Sequence, residues 1–213
     1  MKDIAIYGAG GFGREIACMI MQINQVRSEW NLIGFFDDET KQVKPNRYGR
    51  IIGNADVLNK WPNPLSVVFS IANPQVLDLL NKKLTNTLLE FPNIAAPNVN
   101  FFDRESLLIG KGNVFFFGCR VSCDVAIGNF NLFNGAVSIG HDVSLGDFNV
   151  FQPSTRISGG CRIGNCNFFG VQSVVLQGVR IGNNNRIGAY SVVLRNTQDN
   201  NTYFGNPAKK FNF

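Results

Sequence analysis

The sequence has few charged residues and only one histidine. Asp, Glu, Lys and Arg make up 16% of the 213 residues, against roughly 25% in an average globular protein. Because His141 is the only imidazole, a zinc site built from three histidines is excluded, and no metal is expected. The five cysteines form no C-x-x-C pair, which argues against a zinc or redox motif and favours a reducing compartment.

Long apolar runs and long basic runs are also lacking. The N-terminal stretch "MKDIAIYGAGG" reaches glycine too soon for a signal peptide, and no later segment approaches 18 consecutive apolar residues, so we expect a soluble, cytoplasmic protein without a membrane segment. The formal net charge of +5 suits small polyanions such as nucleotides. Without a basic track, nucleic acid is not an expected partner.

The first part of the chain, up to about Glu90, alternates short β-branched runs with helical patterns. This order predicts a small parallel α/β layer. The stretch "GAGGFG" matches G-x-G-x-x-G through Gly8, Gly10 and Gly13, directly after one predicted strand and at the start of a predicted helix. Taken alone, it favours a dinucleotide-dependent oxidoreductase. A half of about 100 residues is, however, short for the two mononucleotide units of a complete NAD site.

The second part of the chain has a six-residue period. Every sixth residue over fifteen consecutive steps is apolar, which chance would produce on the order of once in a hundred thousand sequences. These anchors are Ile109, Phe115, Val121, Ile127, Phe133, Ile139, Leu145, Phe151, Ile157, Ile163, Phe169, Val175, Ile181, Ile187 and Val193. Small or amide residues follow four positions after most anchors. This pattern predicts a parallel β-helix with inward anchors, in which Cys119 and Cys161 only fill small inward positions.

The repeat, together with "GNPAKKF" near the end, resembles the hexapeptide-repeat acyltransferases. With the N-terminal "IYGAGGFGRE" and "GFFDD", the chain is similar to the sialic-acid O-acetyltransferase and nucleotide-amino-sugar N-acetyltransferase family of bacterial surface-glycan synthesis. The resemblance implies a Rossmann-like domain over residues 1–100 and a left-handed β-helix with a C-terminal tail over residues 101–213. It also implies a homotrimer that uses acetyl-coenzyme A.

Three functions remain open at this point. The first is N-acetylation of a nucleotide-linked amino sugar, the second is O-acetylation of a hydroxyl acceptor such as sialic acid, and the third is a noncatalytic sugar-nucleotide-binding scaffold. The sequence identifies neither the sugar nor the base of its nucleotide.

The stretch "SIGHDVSLGD" contains the candidate catalytic base. His141 directly follows an Ile-Gly pair, which puts it just outside the predicted core, and the adjacent Asp142 can orient its ring. An imidazole is suited to accept a proton from a sugar amine near neutral pH. The resemblance assigns the same role to this His-Asp pair. It also implies that Gly159 donates a backbone N–H to the oxyanion and that Asn134 contacts acceptor or thioester.

The resemblance implies the remaining site residues. Coenzyme A is expected along Val150, Val171 and Ala189, between subunits and mostly through backbone groups, with Lys209 near a phosphate. The nucleotide-linked sugar is expected to contact Gly10, Gly11 and Phe12 of the glycine loop and the acidic residues Asp37 and Asp38. Ala72 and Asn73 are expected to close the pocket. Val150 stands where some relatives have a second histidine, and Ala72 where relatives often have glycine.

Overall fold

The computed structural model describes residues 1–39 and 46–211. Its first part contains five strands and three helices. In chain order they are β1 (Lys2–Tyr7), α1 (Gly11–Val26), β2 (Trp30–Phe36), β3 (Ile51–Gly53), α2 (Ala55–Asn59), β4 (Leu65–Phe69), α3 (Pro74–Lys83) and β5 (Leu89–Glu90). The strands form one parallel sheet in the order β3-β2-β1-β4-β5. All of β4 is buried, as expected for a parallel strand with both faces covered.

The sequence accounts for the buried face of α1 and for the start of α3. The buried side chains of α1 recur at helical spacing, as Ile16, Ile20 and Ile23 show, so one face of the helix packs on the sheet. At the start of α3, the side chain of Asn73 accepts the N–H groups of the first turn, and Pro74 suits the first helical position. No helix within the described ranges is both long and apolar enough to cross a membrane.

The second part is a three-sided solenoid of short strands. They are β6 (Ile94–Ala95), β7 (Asn100–Phe101), β8 (Leu108–Ile109), β9 (Val114–Phe115), β10 (Arg120–Val121), β11 (Ala126–Ile127), β12 (Leu132–Phe133), β13 (Ser138–Ile139), β14 (Ser144–Leu145), β15 (Val150–Phe151), β16 (Arg156–Ile157), β17 (Arg162–Ile163), β18 (Phe168–Phe169), β19 (Val174–Val175), β20 (Arg180–Ile181), β21 (Arg186–Ile187), β22 (Val192–Val193), β23 (Thr202–Phe204) and β24 (Lys209–Phe211). Up to β22, strands that are three apart along the chain pair in parallel. At the end, β23 pairs in parallel with β21, and β23 and β24 close the last coil as an antiparallel hairpin.

Each coil of the solenoid passes through three faces and three corners. The first face contains β6, β9, β12, β15, β18, β21, β23 and β24, the second face runs from β7 to β22, and the third face runs from β8 to β20. In the coil that begins at β12, residues 134–136 form the first corner, between the first and second faces. Residues 140–142 form the second corner, and residues 146–148 the third. Equivalent positions in successive coils are 18 residues apart, as in the pairing of Phe133 with Phe151.

The predicted α/β domain and parallel β-helix are therefore confirmed, and so is the inward position of nearly all anchors. Fourteen of the fifteen anchors are buried, whereas Ile109 is 37% exposed because it lies in the first coil, at the open end of the solenoid. Cys119 and Cys161 are buried as expected. Burial raises the pKa of both thiols, that of Cys119 to about 11, which agrees with a packing role.

Two ladders fill the interior of the solenoid. Phenylalanine rings stack through four coils, with centroids 4.4, 5.0 and 4.7 Å apart; they belong to Phe115, Phe133, Phe151 and Phe169. Beside them runs a column of buried asparagines. Each side-chain oxygen in this column accepts the backbone N–H of the asparagine one coil later, as Asn131 does for Asn149 at 2.9 Å. The amides thereby satisfy buried backbone groups that the corners would otherwise leave unpaired.

The α/β domain packs on the first face of the solenoid and shares a core with it. Phe12 stacks on Phe116 with centroids 5.3 Å apart, and Phe69 stacks on Phe130 at 5.4 Å. Solenoid pairing already begins at β6, ahead of the predicted boundary at residue 101. The last two residues of the predicted second domain lie outside the described ranges.

Candidate active site

His141 and Asp142 lie together at a second corner of the solenoid. Nδ1 of His141 is 2.7 Å from Oδ2 of Asp142. Because a carboxylate only accepts hydrogen bonds, Nδ1 carries the ring proton, and Nε2 of the neutral ring keeps its lone pair. Both side chains are more than half exposed. The pair is therefore an accessible base with one nitrogen oriented and the other open.

The backbone at Asp142 is held in a left-handed conformation, with φ at 57°. Asp and Asn tolerate this conformation better than most residues. The N–H of Asp142 donates to the carbonyl of Cys123 in the coil before it, at 3.2 Å. The corner thus fixes the carboxylate beside the ring without a further side-chain contact.

Gly159 lies one coil above His141, directly against the open nitrogen. A Cβ built on Gly159 would be 2.5 Å from Nε2 of His141, so any side chain at this position would collide with the ring. The N–H of Gly160 donates to the carbonyl of His141 at 2.8 Å and fixes the distance between the coils. Within the described residues, the N–H of Gly159 has no acceptor. It is therefore a backbone donor available beside a base.

Asn134 lies at the first corner of the coil that contains His141, so the whole width of the second face separates the two side chains. It is half-buried, and its Oδ1 accepts the N–H of Gly135 at 2.8 Å. Within one chain, the structure therefore does not bring Asn134 to the His141 imidazole.

Val171 and Ala189 occupy equivalent positions at the first corner in two successive coils. The carbonyl of Val171 accepts the N–H of Tyr190 at 2.8 Å. Across the part of the chain that the structure describes, neither the N–H of Val171 nor that of Ala189 has an acceptor. Lys209 is exposed, and it pairs with Phe204 across the terminal hairpin. These three candidate cofactor residues line one corner, which is not the corner of His141 and Gly159.

The expectation for Val150 is corrected. Its side chain is completely buried under the α/β domain, and its N–H donates to the carbonyl of Asn167 at 2.8 Å. Neither group is available to a cofactor, because Val150 points outward on the one face of the solenoid that the α/β domain covers.

The predicted nucleotide-binding residues follow three adjacent strands of the parallel sheet. The glycine loop follows β1, Asp37 and Asp38 follow β2, and Ala72 and Asn73 follow β4. Because the strand order is β2-β1-β4 at this point, all three segments meet at the carboxyl edge of the sheet. Such an edge is where ligands bind in open α/β sheets.

The glycines of the loop have two different roles. A Cβ on Gly13 would collide with the carbonyl of Gly8, and one on Gly8 would collide with Oγ of Ser70, so both are needed for packing of α1 against the sheet. In contrast, a Cβ on Gly10 would have no atom within 4 Å, and one on Gly11 would meet only a guanidinium nitrogen of Arg14 at 3.8 Å. The open surface of the loop is therefore at Gly10 and Gly11.

Asp37 and Asp38 accept hydrogen bonds from backbone N–H groups of the pocket. Asp37 accepts the N–H of Ala9 in the glycine loop at 2.7 Å. Asp38 accepts the N–H of Ala55 at 3.1 Å, and Lys83 donates to it at 3.3 Å. Partial burial alone would raise the pKa of Asp38, but the hydrogen bonds from Ala55 and Lys83, together with the nearby Tyr7 hydroxyl, hold it below its usual value. The hydrogen bonds thus fix both carboxylates at the edge of the pocket.

Phe12 and Asn73 have structural partners. The ring of Phe12 stacks on Phe116 and connects the glycine loop to the first corner of the solenoid. Asn73 caps α3, because its side chain accepts the N–H groups of Gln75 and Val76. Ala72 is exposed beside it. These residues therefore shape the edge of the pocket.

Sequence reasoning missed two residues of this pocket. Oγ of Ser70 donates to the carbonyls of Tyr7 and Gly8, which fixes the start of the glycine loop. The hydroxyl of Tyr7 is buried and makes no hydrogen bond to any described residue. Burial, and to a lesser degree the nearby Asp38, raises the pKa of this hydroxyl. Tyr7 lies in the stretch "IYGAGGFGRE" but is not one of its glycines, and Ser70 belongs to no motif. Only their positions at the ends of β1 and β4 could have indicated them.

Comparisons with known families match the two parts of the chain separately. Residues 3–84 match the PglD N-terminal domain, and residues 160–195 match the bacterial transferase hexapeptide, in its six-repeat form. A comparison with curated proteins finds no match.

Several solved structures have the same fold over the full length. A histidine-to-asparagine variant of perosamine N-acetyltransferase from Caulobacter crescentus, in complex with CoA and GDP-perosamine, has a TM-score of 0.87 and 22% identity, covering 100% of this chain and 98% of that one. The acetyltransferase domain of PglB from Neisseria gonorrhoeae, in complex with acetyl coenzyme A, has a TM-score of 0.88 and 24% identity, covering 99% of each chain. WeeI from Acinetobacter baumannii has a TM-score of 0.83 and 24% identity, covering 99% of this chain and 100% of that one.

Proposed function

We propose that this chain, in which a PglD-type N-terminal domain is followed by hexapeptide transferase repeats, is an acetyl-coenzyme A-dependent acetyltransferase. It acts on the amino group of a nucleotide-linked sugar in surface-glycan synthesis. The observation that carries this proposal is the arrangement of the His141–Asp142 pair against the unpaired N–H of Gly159. Solved structures of the same fold bind CoA, acetyl coenzyme A and GDP-perosamine, which supports the choice of substrates.

The geometry allows direct attack of the amine on the thioester. As the nitrogen–carbon bond forms, Nε2 of His141 accepts the amine proton, and the N–H of Gly159 donates to the carbonyl oxygen as it becomes negative. When the carbon–sulfur bond breaks, the sulfur leaves with the electron pair and Nε2 returns the proton to it. Asp142 keeps the ring in the required tautomer and stabilises the transient imidazolium. No residue of the chain needs to become acylated.

A second copy of the chain is needed to complete this site. The base and the oxyanion donor lie at the second corner, whereas Asn134, Val171, Ala189 and Lys209 lie on the other side of the second face. A threefold arrangement with the second faces toward the axis brings the second corner of one chain next to the first corner of its neighbour. We therefore propose a homotrimer with coenzyme A between neighbouring subunits.

The acceptor is held by the α/β domain. Gly10 and Gly11 leave open space for a diphosphate at the start of α1, and Asp37 and Asp38 offer acceptors for a ribose or a base. The Phe12–Phe116 stack places this loop beside the first corner of its own chain. A sugar bound there points toward the groove where His141 of a neighbouring copy lies.

One assay separates the proposed function from its rivals. The protein is incubated with acetyl-coenzyme A and a panel of UDP-, GDP- and CMP-linked amino sugars and hydroxyl sugars, and thiol release is followed. We expect release with at least one amino sugar and none with the corresponding hydroxyl sugar. Release only with hydroxyl acceptors would make the protein an O-acetyltransferase.

Calorimetry with NAD(H), NADP(H) and the same sugar nucleotides tests the glycine loop independently. We expect heat of binding for a sugar nucleotide and none for the dinucleotides. Tight NADH binding that is lost in Asp37→Ala would support the oxidoreductase instead.

A further inference from the structure

One aromatic residue of the solenoid combines an unfavourable backbone conformation with a largely exposed side chain. Among the described residues, three aromatics have left-handed φ values: Phe130, Phe148 and Tyr190. Phe130 and Phe148 stack on each other at 5.4 Å and pack in the core shared with the α/β domain, so burial compensates for their conformation. Tyr190 is 65% exposed. Its side chain makes no hydrogen bond and no ring contact to any other described residue.

Asparagine or aspartate fits such a corner better than tyrosine does. The chain itself has Asn184 and Asn200 at other left-handed corner positions. A bulky ring kept at this position against its backbone preference, and left exposed, is a mark of a functional site.

The surroundings of Tyr190 fit an adenine nucleotide. Tyr190 follows Ala189 at the first corner, and the ring of Phe204 in the next coil lies against Gly188. Lys209 is directly opposite Phe204 in the hairpin, so both side chains are on the same side of it. Within the described residues, Lys209 forms no ion pair with an acidic group. An exposed aromatic ring with an unpaired lysine nearby offers stacking to a base and charge to a phosphate.

The distance between Tyr190 and the candidate base His141 also matches the length of coenzyme A. Tyr190 is 49 positions after His141, and each 18-residue coil rises by about 4.8 Å, so it lies about 13 Å further along the solenoid axis. The pantetheine arm of coenzyme A spans such a distance. From these observations we propose that Tyr190 stacks on the adenine ring of coenzyme A and anchors the nucleotide end of the cofactor, with Lys209 facing a phosphate. This inference rests on the proposed function, whose chemistry involves only the opposite end of the same molecule.

Binding measurements with the whole cofactor and with its arm test this inference. Calorimetry compares coenzyme A and pantetheine, which lacks the adenine nucleotide, on the parent and on Tyr190→Asn. We expect Tyr190→Asn to raise the Kd for coenzyme A by about tenfold or more and to leave the Kd for pantetheine unchanged. Tyr190→Phe keeps the ring and should keep the affinity. Phe102→Asn, which removes an aromatic residue 61% exposed at the opposite end of the solenoid, should change neither Kd.

A purely structural role predicts different results. Because asparagine suits the left-handed corner, Tyr190→Asn should melt no lower than the parent. An unchanged Kd for coenzyme A, or equal losses for coenzyme A and pantetheine, would overturn the inference. So would a change in sedimentation mass, because the ring would then be covered by a second copy of the chain.

The proposed function can fail separately. If the parent binds coenzyme A in a Tyr190-dependent way but acetylates no acceptor, the inference stands and the proposed function does not. If the parent transfers acetyl groups and Tyr190→Asn has the parental Kd, only the inference is wrong. A parent that binds no coenzyme A at all contradicts both.

Discussion

His141 has one ring nitrogen engaged by Asp142 and the other open toward Gly159, so its removal should affect the reaction and not the fold. General base catalysis contributes about 10²–10⁴-fold, and we expect His141→Ala to lower kcat by about that factor. Asp142→Asn should lose less, because the carboxylate orients the ring without accepting the substrate proton. Steady-state kinetics on the preferred acceptor measures both effects.

The pH dependence and the binding data serve as controls for this prediction. Any rise of kcat/KM with pH that comes from deprotonation of the general base should be absent in His141→Ala. The Kd for coenzyme A and the Tm should stay close to parental, since the side chain is 54% exposed. Full turnover by the alanine variant would mean that the amine arrives already deprotonated or that another group is the base.

At the scale of residues, the sequence predicted the positions whose chemistry is unusual in this chain. His141 stood out as the only imidazole, next to a carboxylate, and the structure does bring the two side chains together. The predicted contact between Val150 and coenzyme A was wrong. A six-residue period distinguishes inward from outward positions, but it does not show which outward face another domain covers. Tyr7 and Ser70 were missed because their importance depends on strand ends that meet only in the folded sheet.

The stacked phenylalanines connect successive coils of the solenoid through its core. Phe133 is fully buried, with its ring 4.4 Å from that of Phe115 and 5.0 Å from that of Phe151. Replacing a buried phenylalanine by alanine typically costs about 3–5 kcal/mol, so Phe133→Ala should lower the free energy of unfolding by about this amount. Denaturant titration followed by circular dichroism measures it.

Phe102→Ala is the matched control for the ladder. Its side chain is 61% exposed, and we expect a change within about 0.5 kcal/mol. Equal destabilisation by both substitutions would mean that the ladder contributes no more than an exposed ring, which would contradict the packing described above.

At the scale of elements, the six-residue period predicted the coils well but did not find the first one. The usual pairing offset is 18 residues, yet Val121 pairs with Phe101 and Phe115 pairs with Ala95, which are offsets of 20. Two additional residues between Phe101 and Ile109 therefore break the period in the first coil. Stepping backwards by six from Ile109 therefore misses β7 and β6, although β6 already pairs with β9.

At the scale of the whole molecule, the candidate residues divide between two corners of the solenoid. His141 and Gly159 belong to one corner, and the glycine loop is tied to the other corner through Phe12 and Phe116. The sequence could not show this division, because a linear period does not reveal which corners of a three-sided solenoid are close in space. A site shared between copies of the chain follows, and it can be tested by mixing two inactive variants.

The two variants are His141→Ala, which lacks the base, and Gly10→Trp. The tryptophan side chain would extend into the open space in front of the loop and block the acceptor. Each variant alone should be inactive after denaturation and refolding. In a random one-to-one mixture, a site is competent when one chain supplies His141 and its neighbour supplies the open loop, which holds for about one quarter of the subunit contacts in a cyclic trimer. We therefore expect the refolded mixture to recover about one quarter of the parental rate. A mixture as inactive as its components would place the base and the acceptor loop of each site in the same chain.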